Sequence, residues 1–277
     1  TKMKKVLTLL ITGLLITFLA ACGSSDDEKS SGDTTKLVIG SAVTPHAEIL
    51  EKAKPILEEK GIEIEIEEYD EYVLPNRDLH EGRLDANYFQ HTPYLDGQIE
   101  EFGYDFVSLG GIHIEPIGIY SKNITNLDEI PEGTVVIMSN SEADRGRILS
   151  LLARDGVITL ADGVDQVNAD FDDIVGNPLN LEFDDSIEPA LLPEFYNREE
   201  DALVAINTNY ALEAKLVPSK DALIVEGSES PYANLLVTTS DNKDNEALKT
   251  VLEVLRSEEI QTFMEEEFDG AIVPVSE

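Results

Sequence analysis

Residues 85–94 read Asp-Ala-Asn-Tyr-Phe-Gln-His-Thr-Pro-Tyr and gather three aromatic rings, an imidazole and two side-chain amides within ten positions. Rings and amides held at one place form an apolar cage with a polar rim, which suits one wall of a small-molecule pocket. Taken alone, Tyr88, Phe89 and Tyr94 fit ordinary core aromatics better. Tyr72, in Tyr72-Val73-Leu74-Pro75-Asn76, lies just past another strand end, whereas Arg147 in Asp144-Arg145-Gly146-Arg147, Asn207 after Ile206, and Asn234 in Ser230-Pro231-Tyr232-Ala233-Asn234 are polar residues to which composition and spacing assign no role. Each also has a plainer reading. Arg147 would serve as a surface helix arginine, Asn207 as a helix cap, Asn234 as a turn residue, and Tyr72 as a half-buried ring with its hydroxyl in water.

Catalysis finds little support. The four histidines, His46, His80, His91 and His113, are scattered, and the chain has no His-Glu-x-x-His, no paired cysteine ligands, no Gly-x-Ser-x-Gly elbow and no phosphate-cradling loop. No enzymatic activity, cofactor or metal is therefore expected. Neighbouring carboxylates such as Glu67-Glu68 and Asp172-Asp173 are inevitable among 56 acidic residues and signal nothing. The net charge of -36 argues against nucleic-acid binding and against lying flat on anionic lipid.

The elements that must position these residues follow from periodicity. Residues 36–41 read as a buried strand, and apolar positions Ile49, Leu50, Ala53, Ile56 and Leu57 read as a helix capped by Thr44 and stopped by Gly61. Residues 62–67 alternate at period two and form a half-exposed strand. A helix over 93–101, strands over 106–109 and 112–120 broken at Pro116, and a second series of strands and helices follow, with helices over 245–257 and 258–268 at the end. Alternating strands and helices imply an α/β fold with mostly parallel sheets, in which ligands collect at the carboxyl ends of strands. A chain of 277 residues suits two lobes. Lobe one is expected over 36–116 and 230–277 and lobe two over 117–229, so that the chain crosses twice and leaves a cleft that closes like a hinge.

The N-terminus speaks to location. Lys2, Lys4 and Lys5 precede an apolar run over 6–21 that is shorter than the roughly 20 residues of a spanning helix, and it ends Leu19-Ala20-Ala21-Cys22-Gly23. This pattern is a secretory leader over 1–22 with a lipobox, in which the sole cysteine, Cys22, is acylated. Residues 23–35 hold nothing apolar to bury and read as a flexible tether. The expected location is the extracytoplasmic face of the cell membrane, held by lipid on Cys22.

Several motifs in one order resemble the methionine-binding lipoproteins of ABC importers, the NlpA/MetQ lipoprotein family. They are Pro45-His46-Ala47-Glu48-Ile49-Leu50, Tyr72 to Asn76, Asp85-Ala86-Asn87 with Phe89-Gln90-His91, Pro93-Tyr94-Leu95-Asp96, Tyr120-Ser121-Lys122, Leu127-Asp128-Glu129, Ile206-Asn207-Thr208-Asn209-Tyr210-Ala211 and Ser230 to Asn234. The resemblance covers about 36–274. It implies a bilobed periplasmic-binding-protein fold of type 2 that delivers methionine, L- or D-, to an ABC permease and its ATPase, and a monomer. It implies that Tyr72, Phe89 and His91 surround the ligand side chain with Tyr88 nearby, that Arg147 takes the carboxylate, and that Asn207 and Asn234 bind the polar end. A thioether against ring edges and an acid against a guanidinium are sound chemistry in their own right.

The chain also departs from that family. Residues 139–147 keep Asn140 and the arginine but lose the Pro-Asn-Asp-Pro-x-Asn pattern. Asp144 stands where a ligand-proximal asparagine is expected, so its carboxylate is free to pair with a ligand ammonium or with Arg145. Leu191 replaces a glutamine, and Tyr88 varies a neighbouring position. A methionine-containing dipeptide or another small amino acid is the alternative ligand, and a lipid-anchored hydrolase or a surface adhesin the alternative class.

Overall fold

The structure, a computed structural model, describes residues 34–228 and 231–275. The leader with Cys22 and most of the tether lie outside the described residues. Two sheets organise the fold. The first has six strands in the order Val273–Pro274, Phe106–Ile114, Ala233–Thr239, Ala86–His91, Thr35–Ala42, Ile62–Tyr69. The second has five, in the order Ile224–Val225, Gly118–Tyr120, Leu203–Ile206, Val135–Ser139, Glu182–Ile187. Each sheet carries helices and its own buried clusters, so the molecule is a two-lobed α/β protein.

The chain passes from the first sheet to the second through Glu115, Pro116 and Ile117, where proline cannot donate to a ladder, and returns after Val225. The sheets are mixed rather than mostly parallel. Thr35–Ala42 pairs in parallel with Ile62–Tyr69 and Ala86–His91, but the returning strand Ala233–Thr239 inserts antiparallel between Ala86–His91 and Phe106–Ile114. A strand that arrives from the other lobe, instead of through a helical crossover, has no reason to be parallel.

The helices follow the apolar spacing. Glu48–Glu59 buries Ile49, Leu50, Ala53 and Leu57 on the first sheet, each large side chain contributing about 1.5–3 kcal/mol. Its start differs from the expected Thr44 cap. Thr44 stays extended, and its hydroxyl donates to Glu48 Oε1 at 2.8 Å, while residues Val43–Ala47 form a wider turn. Further on, Asn245 caps Glu246–Leu255 and Ser257 caps Glu258–Glu267 through their side-chain oxygens.

The lobes touch. Leu212 and Val217, which follow the second-sheet strand Leu203–Ile206, pack on the first lobe's core, and Tyr72 from the first lobe packs on a second-lobe cluster. No helix of the described residues is long and apolar enough to cross a membrane.

Candidate functional site

A cavity of about 460 Å³, its mouth to solvent included, opens where the lobes meet. One wall is aromatic. Tyr72, Phe89 and Tyr94 pack mutually, with ring centroids 6.1, 6.0 and 5.9 Å apart. Tyr72 also meets Tyr210 at 5.2 Å, and its hydroxyl donates to Asn209 Oδ1 at 2.5 Å, a contact between lobes.

An amide cluster beneath this wall explains why two separate motifs act together. Asn76 and Gln90 exchange hydrogen bonds of 2.9 and 2.8 Å, Gln90 Nε2 donates to Asn87 Oδ1 at 2.9 Å, and Asn87 Nδ2 donates to Asn76 Oδ1 at 3.0 Å. All three are buried, so the Val73–His80 helix is fixed against the strand Ala86–His91 that carries Phe89 and His91.

His91 ends that strand and caps the next helix, Thr92–Phe102, because its Nδ1 accepts from the Tyr94 amide at 3.3 Å. The ring proton then sits on Nε2. Burial, with the nearby Arg147 charge adding to it, pushes His91 down to about 3, so it lines the cavity as a neutral donor.

Opposite the rings the cavity is polar. Arg147 lies on the helix Glu142–Arg154, which runs so close to Val167 that a Cβ on Gly146 would stand 2.3 Å from that residue's carbonyl oxygen. Arg147 is 6% exposed and turned inward. Its Nε and Nη2 donate to Glu226 at 3.0 and 2.5 Å, Nη2 also donates to the Glu115 carbonyl at 2.8 Å, and the guanidinium lies 4.2 Å over the Tyr232 ring. Burial works against its charge, but Glu226, with Asp144 and Tyr232 adding to it, holds its pKa above the ordinary value.

Asp144 is 3% exposed, and its Oδ2 accepts from Ser139 Oγ at 2.5 Å and Asn207 Nδ2 at 2.9 Å. Arg145, the sequence alternative for its partner, turns to Asp185 and Asp170 instead. Among the described residues, Asn207 Oδ1 and Asn209 Nδ2 are buried without a hydrogen-bond partner, one an acceptor and one a donor. Asn234 Oδ1 meets His46 Nε2 at 2.8 Å.

The structure thus brings Tyr72, Phe89, His91, Asp144, Arg147, Asn207 and Asn234 to one cavity. Tyr88 and Asn140 are elsewhere. Neighbours on a strand point to opposite faces, so with Phe89 in the cavity Tyr88 turns its ring toward His46 at 4.7 Å and its hydroxyl toward His113 Nδ1. Asn140 is exposed and reaches Glu188 at 3.4 Å. Leu191 is 47% exposed, outside the lining.

Sequence reasoning assigned no ligand contact to Gln90, Tyr94, Glu115, Ser141, Thr208 and Asn209, which also line the cavity. The first two belong to the aromatic run and Asn209 to the Asn-Thr-Asn motif, but Glu115 carries no local signal beyond the proline after it. Glu115 also converges with His46 and His113 on one point, a group with the ligand atoms of a metal centre.

The arrangement can hold a small zwitterion with an apolar tail, because it offers rings on one side and both charges on the other. The chain matches the family model described as NlpA lipoprotein over residues 37–276. It is 41% identical over 274 residues to the methionine-binding lipoprotein MetQ of Bacillus subtilis, covering 97% of this chain and 99% of that one. Among solved structures it resembles a nutrient-binding protein of Burkholderia cenocepacia bound to methionine, with 36% identity, a TM-score of 0.81, and 87% and 100% of the two chains covered. It also resembles an ABC transporter periplasmic substrate-binding protein of Coxiella burnetii, with 35% identity, a TM-score of 0.81, and 86% and 100% covered.

Proposed function

The chain belongs to the NlpA lipoprotein family, and from that premise we propose that it is a solute-binding lipoprotein that captures methionine and hands it to an ABC permease and its ATPase. It binds and releases its ligand unchanged rather than catalysing a reaction. In this reading residues 1–22 are the leader, Cys22 carries the lipid, 23–35 tether the body outside the membrane, and the protein works as a monomer. Lobe one is 36–116 with 230–277, and lobe two is 117–229.

The observation that carries the reading is a buried guanidinium and a buried carboxylate, Arg147 and Asp144, opposite the Tyr72, Phe89 and Tyr94 rings in one interlobe cavity. The thioether tail packs on ring edges, where sulfur is favoured. The ligand carboxylate takes Arg147 Nη1, the nitrogen of that guanidinium that Glu226 and Glu115 do not engage. The ammonium takes Asp144 and Asn207 Oδ1, and Asn234 completes the polar end. Tyr88 contributes from behind, by holding His113, and Asn140 by holding Glu188 at the rim. Closure follows from contacts made with both lobes, since only a ligand with higher affinity for the closed form shifts that equilibrium.

Mass spectrometry of the small molecules released when the purified protein is denatured tests this reading. Methionine in near-stoichiometric amount is expected. A methionine-containing dipeptide would revise the ligand, and an unrelated compound would refute the proposal.

A further inference from the structure

His46, Glu115 and His113 come from the turn Val43–Ala47, the crossover and the strand Phe106–Ile114, yet their side chains meet in the first lobe next to the cavity. We propose that these three residues bind a divalent transition-metal ion of the zinc class, with Asn234 Oδ1 or a ligand donor as the fourth partner. The inference stands on these side chains and does not depend on which solute fills the cleft.

The geometry fits. His113 Nε2 is 2.8 Å and His46 Nε2 is 3.2 Å from Glu115 Oε1, and one ligand atom from each residue lies within 4.8 Å of the others. Tetrahedral zinc with bonds of about 2.0–2.2 Å to nitrogen and oxygen separates its ligand atoms by roughly 3.3 Å, so the pairs at 2.8 Å, now hydrogen-bonded, would open by about half an ångström to admit the ion. Asn234 Oδ1, 2.8 Å from His46 Nε2, is an oxygen donor at the same place.

The donor set selects the ion. Two imidazoles and one carboxylate suit zinc and its neighbours, whereas calcium and magnesium take shells of oxygen. The His113 Nδ1 faces the Tyr88 hydroxyl, the kind of outer partner that orients a metal-bound imidazole. His46 Nε2 donates to Asn234 Oδ1 at 2.8 Å and lies 3.2 Å from Glu115 Oε1, so an ion taking Nε2 would shift that ring's proton to Nδ1, which has no hydrogen-bond partner among the described residues.

Arg147 donates to the Glu115 main-chain oxygen, which leaves the Glu115 carboxylate to the two imidazoles. Glu115 and Asn234 both line the cavity, which gives an ion a route from solvent.

Titration of chelator-treated full-length protein with Co²⁺, a spectroscopic stand-in for zinc, tests the proposal. The expected result is one equivalent bound at neutral pH with the visible absorption of a tetrahedral site, displaced by Zn²⁺ and unaffected by excess Ca²⁺ that occupies acidic surface groups. His113→Gln and Glu115→Gln should weaken binding at least about tenfold, while His80→Gln, at an exposed histidine outside the cluster, should not. If those variants fail to fold, X-ray absorption of the zinc-loaded wild type decides, since it must show imidazole ligands. Absence of binding, an octahedral Co²⁺ spectrum, equal binding in all folded variants, or a zinc shell without imidazole would each overturn the proposal.

Discussion

Arg147 and Glu226, 79 residues apart, form a two-pronged ion pair beside the cavity, with Nε to Oε1 at 3.0 Å and Nη2 to Oε2 at 2.5 Å. The pair fixes one edge of the guanidinium and leaves Nη1 for a ligand acid. Glu226 lies just past the strand Ile224–Val225, where the chain leaves the second lobe, so Arg147 is tied to the crossover.

Arg147→Ala should therefore act twice. Ligand affinity should fall by about 2–5 kcal/mol, as for a buried charge pair that loses a partner. Stability should fall by about 3–5 kcal/mol, because Glu226 is left without its cation. Arg147→Lys should restore stability better than affinity, since an ammonium keeps the charge and loses the planar fork. Calorimetric titration with methionine and denaturant unfolding measure the two effects separately.

Tyr72→Phe should weaken methionine binding without unfolding either lobe. The hydroxyl donates across the cleft to Asn209 Oδ1, and its loss leaves a buried acceptor unpaired. That costs about 1–3 kcal/mol. Faster ligand release and a more expanded average shape in solution scattering are expected, and unchanged release would contradict the role of this contact.

Asp144→Asn should reduce discrimination by the ligand's amino group. Asp144 accepts from Ser139 and Asn207 and presents the carboxylate nearest the proposed ammonium position. Hydrogen bonds to charged groups contribute about 1.5–3 kcal/mol, so the preference for methionine over N-acetylmethionine should shrink about tenfold or more. Competition titrations with the two compounds measure it.

Acid should destabilise the fold through its buried imidazoles. His91 has a folded pKa of about 3 against an ordinary 6.5, so between those values the unfolded chain binds more protons than the folded one. Stability is complete above about pH 6.5 and is lost as pH falls toward 3. His91→Asn keeps a cap for the Tyr94 amide and removes the titrating group. Its stability should fall less steeply across that window, with His46 and His113 retaining the rest of the slope. Unfolding curves at several pH values give the two slopes.

Much of this was legible in the sequence because it is periodic or local. Helix faces such as Ile49, Leu50, Ala53 and Leu57, the strand break at Pro116 and the aromatic run were all in view, and the structure turns Phe89, His91 and Arg147 into one cavity. Pairings between distant segments were not legible. Glu226 was one acid among 56, and no spacing marked it as the partner of Arg147. The convergence of His46 with His113 and Glu115 depends on a turn meeting a crossover, which no local motif encodes. The family resemblance implied that Tyr88 stands near the ligand, but strand alternation turns its ring away from the face that carries Phe89. The antiparallel insertion of Ala233–Thr239 was hidden because pattern reveals a strand but not the direction of its partner.

Calorimetric titration of methionine into protein stripped of bound ligand by unfolding and refolding is the most direct measurement of all. Saturable binding of one methionine per chain is expected, with a negative heat-capacity change from burying the thioether against the rings. Heats that never saturate, or equal binding by methionine and its carboxyl-blocked amide, would contradict a cleft built to grip the acid through Arg147.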